Sequence, residues 1–246
     1  MKNSVVNYAF PVFLLTIVSL GLLLVSFSNV KEDIDPNPVT LTFVDHLKAG
    51  LIEQDVYVEK KQGSGKVYRV QPTEKDIYLE KELYSAREAN HHDPFDVGST
   101  GPVAMGRPLG MKLSKWLSAK GTATYVCDAG WGKLKASFEN LVPNATYTMW
   151  HFFMSAPPTV PFNGTLDVPL GDRDGSQSVF KTDARGRAVL DITFEHCLQF
   201  SDNQLVSALA IAYHSDGQTY GGSPGPFGKA THVQLFAMLP NVDDLQ

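Results

Sequence analysis

Charge is scarce in this chain. Asp, Glu, Lys and Arg make up 19% of its 246 residues, against about a quarter in ordinary globular proteins. Lys and Arg nowhere cluster and the net charge is −5, so no nucleic-acid footprint is expected. The chain has no Gly-x-Ser-x-Gly elbow, Ser-x-x-Lys, His-Glu-x-x-His or P-loop, and Gly63-Ser64-Gly65 lacks the third glycine of a dinucleotide loop. These absences lower the expectation of an enzyme, although a site assembled from distant strands would leave no such mark. Disorder of the whole chain, collagen and a coiled coil are excluded by the 43% hydrophobic content.

The charge that is present lies unevenly. Residues 31–100 carry 23 charged side chains in 70 positions, whereas residues 101–246 carry 23 in 146. All three Trp, nine of the fourteen Phe and fifteen of the twenty Gly fall in the second part. The chain therefore divides into an N-terminal segment (1–30), a charged stalk or small subdomain with a linker (31–111), and an aromatic-rich domain (112–240).

Tyr8 to Val30 is a run of 23 residues without a charged side chain, long enough to span a bilayer. Lys31, Glu32, Asp33 and Asp35 follow it, a net −2, which by the positive-inside rule leaves the N-terminus in the cytoplasm and the rest outside. Ser26 and Ser28 offer small residues for signal cleavage. The expected product is a single-pass membrane protein with an extracytoplasmic C-terminal domain, or a secreted or periplasmic one after cleavage. Cys127 and Cys197 suit that compartment as a disulfide, whose loop would be worth about 4 kcal/mol in the chain-entropy account. Asn144-Ala-Thr and Asn163-Gly-Thr are glycosylation sequons.

In the charged part, Phe43, Leu47 and Leu51 stand at i, i+4 steps and predict a short helix from Thr40. Gly63-Ser-Gly65 between two apolar-alternating runs predicts a hairpin. Leu79, Leu83 and Ala86 predict a helix over Asp76 to Glu88. Residues 88–111, broken by Gly and Pro, predict a linker or irregular wrap, and within them His91-His92-Asp93 offers metal-type ligands that only an irregular loop could converge.

The aromatic part alternates in short runs between turns, the pattern of an all-β domain. Arg187 to Glu195 places Leu190, Ile192 and Phe194 opposite Asp191, Thr193 and Glu195, and Asp183 to Gly186 reads as the turn of a hairpin with the strand before it. Val206 to His214 sets Ala208, Ala210 and Ala212 on one face, which implies close packing under another layer. The segment Leu141-x-Pro143-x-x-x-Tyr147 resembles the tyrosine corner of fibronectin-type-III and immunoglobulin-like sandwiches, and the resemblance implies a Tyr147 hydroxyl bonded back to the upstream backbone. The expected fold is mainly β, an antiparallel two-sheet sandwich of seven or eight strands, with a closed barrel as the alternative.

Two functional readings follow. The first is an extracytoplasmic β-sandwich that binds a protein, glycan or other ligand. Its candidate binding residues are Tyr220 and Phe227 in the Gly-rich loop 215–228, with His214 and His232 on the flanking strands. The alternative is a copper-type metalloprotein drawing on His151, His196, His214 and His232. Asp172-Arg-Asp-Gly-Ser176 lacks the later ligands of an EF-hand and reads as a turn.

Overall fold

The computed structural model describes residues 38–52, 54–89, 100–159 and 164–245. The expected membrane segment 8–30, the His91-His92-Asp93 tripeptide and the Asn163 sequon lie outside them. No helix among the described residues is long and apolar enough to cross a membrane.

Two antiparallel sheets face each other. The four-stranded sheet has the order β1 (Val39–Phe43), β6 (Lys120–Asp128), β7 (Trp131–Glu139), β11 (Ala188–Glu195). The five-stranded sheet joins β10 (Val179–Lys181), β8 (Thr146–Ser155), β12 (Leu205–His214) and β13 (Thr231–Met238), with β9 (Leu166–Pro169) also paired to β8. The core between them carries the inward set of each alternation: Leu134, Ala136 and Phe138 of β7, Leu190, Ile192 and Phe194 of β11, and Tyr147, Met149, Leu209 and Ile211 from the facing sheet. Ala208 and Ala210 on the opposite face of β12 are buried with Phe152 and Phe236 against Ala49 and Leu51, the close packing that small side chains on one face permit.

The remaining strands, β2 (Tyr57–Val58), β3 (Lys66–Arg69), β4 (Glu82–Ala86) and β5 (Val103–Lys112), close into a small four-stranded ring. Its β2–β3 hairpin turns at Gly63-Ser64-Gly65, with Tyr57 opposite Arg69, as the alternation there implies. Residues Ile34–Gln246 cluster as one unit.

Four sequence expectations are corrected. The helix expected from Thr40 is strand β1, paired with β6 from Val39↔Tyr125 to Phe43↔Gly121. Leu41 and Phe43 are buried while Thr40 and Thr42 are exposed, so period two governs, and the Asp45 carboxylate takes the Leu47 and Lys48 N–H groups into a turn. The helix expected over 76–88 shrinks to one turn, α1 (Lys75–Tyr78), followed by β4, whose Leu83 and Ser85 are buried in the ring. Residues 103–112 of the expected linker form strand β5. Its Gly and Pro mark a bent strand rather than a break: the ladder to β4 shifts register twice, and Gly106 lies so close that an added Cβ would sit 2.3 Å from Ser85 Oγ. Asp183–Gly186 is a tight turn, its Asp183 carboxylate accepting the Arg185 and Arg187 N–H groups, but it passes the chain between sheets, since β10 pairs with β8 and β11 with β7.

Tyr147 occupies the corner that its spacing suggested. Its hydroxyl accepts the Val142 N–H at 3.0 Å and donates to Gln234 Oε1 at 2.6 Å. Burial raises its pKa well above the usual 10, so the proton stays available for Gln234. Tyr147→Phe strands a buried N–H and a buried carbonyl together. The expected loss of stability is about 2 kcal/mol, read as a drop in the urea midpoint with unchanged m-value; no measurable drop would mean that neither bond contributes.

Candidate functional site

Among the described residues, the two sheets are joined by a backbone bridge on one side. At the β1 edge, Val44 and Phe236 exchange two backbone hydrogen bonds of 2.8 and 2.7 Å, linking β1 to β13. At the other side β9 and β11 are the last strands of their sheets, and a cleft of about 390 Å³ opens there. It is lined by Val168–Arg173, Phe194–Leu198 and His151. Leu170, Phe194 and Leu198 are buried and give it an apolar floor. Asp172, Arg173, Glu195 and His196 are exposed at its rim, and the volume falls within the range of small-ligand sites.

His151 is positioned by the β8–β9 ladder, opposite Val168. Ser207 Oγ donates to the Gln199 carbonyl at 2.6 Å, so the 2.8 Å contact between Ser207 Oγ and His151 Nε2 has the imidazole as donor. Nδ1 then carries the lone pair, and burial holds the ring neutral, its pKa drawn down to about 4. His196 differs. It shares the parity of the inward Ile192 and Phe194, but its backbone turns left-handed (φ 68°) and its side chain is exposed. The Cys127–Cys197 disulfide, with Cα atoms 5.6 Å apart, bounds the cleft at its base.

The other predicted residues gather elsewhere. His214 sits in a chain that runs one way: Trp150 Nε1 donates to Thr148 Oγ1 (2.7 Å), which meets His214 Nε2 (2.8 Å). His214 Nδ1 faces Thr231 Oγ1 at 3.5 Å, and Thr231 donates to the Pro224 carbonyl at 2.7 Å. An indole can only donate and a carbonyl can only accept, which assigns the proton to Nδ1. His232 Nδ1 donates to the Asp55 carbonyl (3.1 Å) and Nε2 meets Ser215 Oγ (3.0 Å). The Asp55 carboxylate in turn takes the Val233 N–H (2.9 Å) and Arg69 Nη2 (3.3 Å), so one residue ahead of β2 grips two successive residues of β13. Tyr220 donates to Asp216 at 2.5 Å and stands 5.9 Å from the His214 ring. Phe227 is half-buried and bridges to Thr231. The loop's glycines allow close contact: an added Cβ at Gly225 would lie 2.3 Å from the Tyr220 ring.

No family model matches this chain, and no curated protein matches it either.

For copper, the sulfur is missing in the required form, because Cys197 is joined to Cys127 and offers no thiolate. Among the described residues no three His, Cys, Asp or Glu side chains converge. The cleft itself escaped the sequence reading, since it is assembled from three separated segments and its wall strand β9, Leu-Asp-Val-Pro, carries no alternation long enough to register.

Burial draws the pKa values of His46 to about 3 and of His151, His214 and His232 to about 4, from 6.5. Below pH ~6.5 the unfolded chain takes up protons that these folded imidazoles refuse, so stability falls with pH. Asp55 opposes this: burial raises its pKa from 3.8 to about 6, so between those values the folded state holds one extra proton. The balance near pH 5 is about three protons, or about 4 kcal/mol per pH unit. Urea midpoints measured from pH 8 to 4.5 should be nearly level above about pH 7.5 and fall increasingly below pH ~7; a constant midpoint down to pH 5 would contradict the buried neutral imidazoles.

Proposed function

We propose that this chain is an extracytoplasmic binding protein, tethered by or released from segment 8–30, that takes its ligand in the cleft between β9 and β11. The observation that carries the reading is the cleft's construction. An apolar floor of Leu170, Phe194 and Leu198 lies under a rim of both charge signs, on the side opposite the Val44–Phe236 bridge. Such a site favours a ligand with an apolar body and polar ends. The disulfide at its base supports an oxidising compartment.

Two measurements test it. Protease added to cells whose plasma membrane is intact, after any outer membrane has been opened, should degrade the domain unless it is already in the medium; protection until the plasma membrane is lysed would sink the compartment. A fragment screen by NMR on the full chain in detergent should place its hits on Leu170, Phe194 and Leu198. Val168→Trp, which sets an indole into the cleft from a half-buried position on the edge strand, should abolish those hits while leaving Tm within a few degrees. Hits that scatter over the surface, or that survive Val168→Trp, would refute the cleft as the binding site.

A further inference from the structure

The wall of the cleft formed by β11 is an unfinished sheet edge, and its parity can be worked out. The His196 N–H reaches the Gly130 carbonyl at 2.9 Å, and β7 and β11 run in one-for-one antiparallel register from Ala188↔Phe138 to Glu195↔Trp131. Residues opposite each other alternate between hydrogen-bonded and non-hydrogen-bonded pairs. Leu190, Ile192 and Phe194 therefore give their N–H and C=O groups to β7, and Asp191, Thr193 and Glu195 point theirs outward. None of these outward groups has a hydrogen-bond partner among the described residues.

The facing edge is different. Leu170 N–H bonds Met149 O at 3.0 Å, so the outward positions of β9 are Asp167 and Pro169, and Pro169 has no N–H to offer. Proline blunts an edge against pairing. Of the two strand edges that line the cleft, β11 is the one that presents consecutive donors and acceptors among the described residues.

We propose that β11 takes an extended peptide by antiparallel strand addition over residues 191–195. This rests on the reading of the cleft as the binding site and names the class of its ligand. The added strand sets alternate side chains on two surfaces. One set lies beside Asp191, Thr193 and Glu195, all exposed, and the other turns over the cleft floor at Phe194, Leu170 and Leu198. The matching sequence alternates a basic residue, opposite the two carboxylates, with an aliphatic one; Asp191 shares its charge with the exposed Lys135 of β7 at 3.8 Å, so Glu195 is the stronger selector. A second copy of this chain is a poor occupant, because it brings its own Asp191 and Glu195 to the same edge on a molecule of net charge −5, and like charges across a ladder repel.

The probe is acetyl-Ser-Lys-Val-Lys-Val-Lys-Ser-amide, added to the full chain in detergent at up to about 1 mM, with amide hydrogen exchange as the readout. Exchange at Asp191, Thr193 and Glu195 should slow saturably by about tenfold, and the analogue with Glu in place of Lys should bind about tenfold more weakly. In antiparallel pairing the lysine amides face β11, so N-methylating them should abolish the effect, whereas N-methylating the valine amides should not. Thr193→Pro removes an outward donor without removing a bond to β7 and should also abolish it. Protection that tolerates both methylations, or that the acidic analogue reproduces equally, overturns strand addition. Absence of protection while fragments still occupy the cleft and Val168→Trp still displaces them refutes the peptide and leaves the cleft standing; loss of both refutes both.

Discussion

The Val44–Phe236 exchange decides the form of the molecule. By linking β1 to β13 it turns two stacked sheets into a structure closed on one side. That side is bridged at Val44 and Phe236, and the side opposite ends in the edge strands β9, β10 and β11. A sandwich of this kind has no second closure available unless another strand is supplied, since β10 is short and pairs with β8. The cleft is thus a topological consequence before it is a chemical one. Its floor joins Phe194 of β11 to Leu170 and Leu198, which follow β9 and β11 in the chain.

A second constraint ties the ring of small strands and the segment 45–54 to the sandwich through its interior. From the tyrosine corner, Tyr147 donates to Gln234 Oε1 and Gln234 Nε2 reaches the Trp116 carbonyl (3.3 Å). Trp116 Nε1 donates to Gln54 Oε1 (2.9 Å) and Gln54 Nε2 to Asp45 Oδ1 (3.2 Å). Tyr147, Gln234, Trp116, Gln54 and Asp45 are all buried, so each link withdraws polar groups from water and supplies them with partners. Leaving one partner out costs more than the bond itself contributes. The Asp55 grip on His232 and Val233 works in parallel from the next turn of chain. Such networks specify one docking of the ring on β13, where apolar contact alone would accept several.

How much of this was legible in the sequence depends on the range of the interaction responsible. Strands β11 and β12 were readable because their alternation is local, and Tyr147 because its corner is a seven-residue motif. The Cys127–Cys197 pairing followed from count and compartment. Strand β1 was misread because Phe43, Leu47 and Leu51 fit a helical spacing by coincidence, while the pairing with β6 that overrode it is 80 residues away. β5 was hidden because Gly106, Pro108 and Gly110 break any periodicity, although they are what lets that strand bend around β4. The functional site divided in the same way. His151 could be placed on an inward face from its phase with Tyr147, but nothing local to Leu170 or Leu198 announces that they meet beside it.

Histidine was the residue type that seemed to offer most chemistry, and the fold commits most of it to structure. His232 holds a carbonyl at Nδ1 and a hydroxyl at Nε2, and His214 is held between Thr148 and Thr231. A metal at either ring would have to displace one of these buried partners and leave it unsatisfied. His151 is fixed through Ser207, with only Nδ1 left as an acceptor on a ring that lines the cleft, and His196 stands alone at the rim. What the molecule leaves open beside its apolar floor is therefore mainly backbone. Main-chain groups on an edge recognise an extended chain by spacing and direction, and the side chains on either face of that edge then select its sequence. A sandwich closed on one side and open on the other is suited to that mode of recognition, because β11 is held along its length by β7 and presents its outward groups at strand spacing.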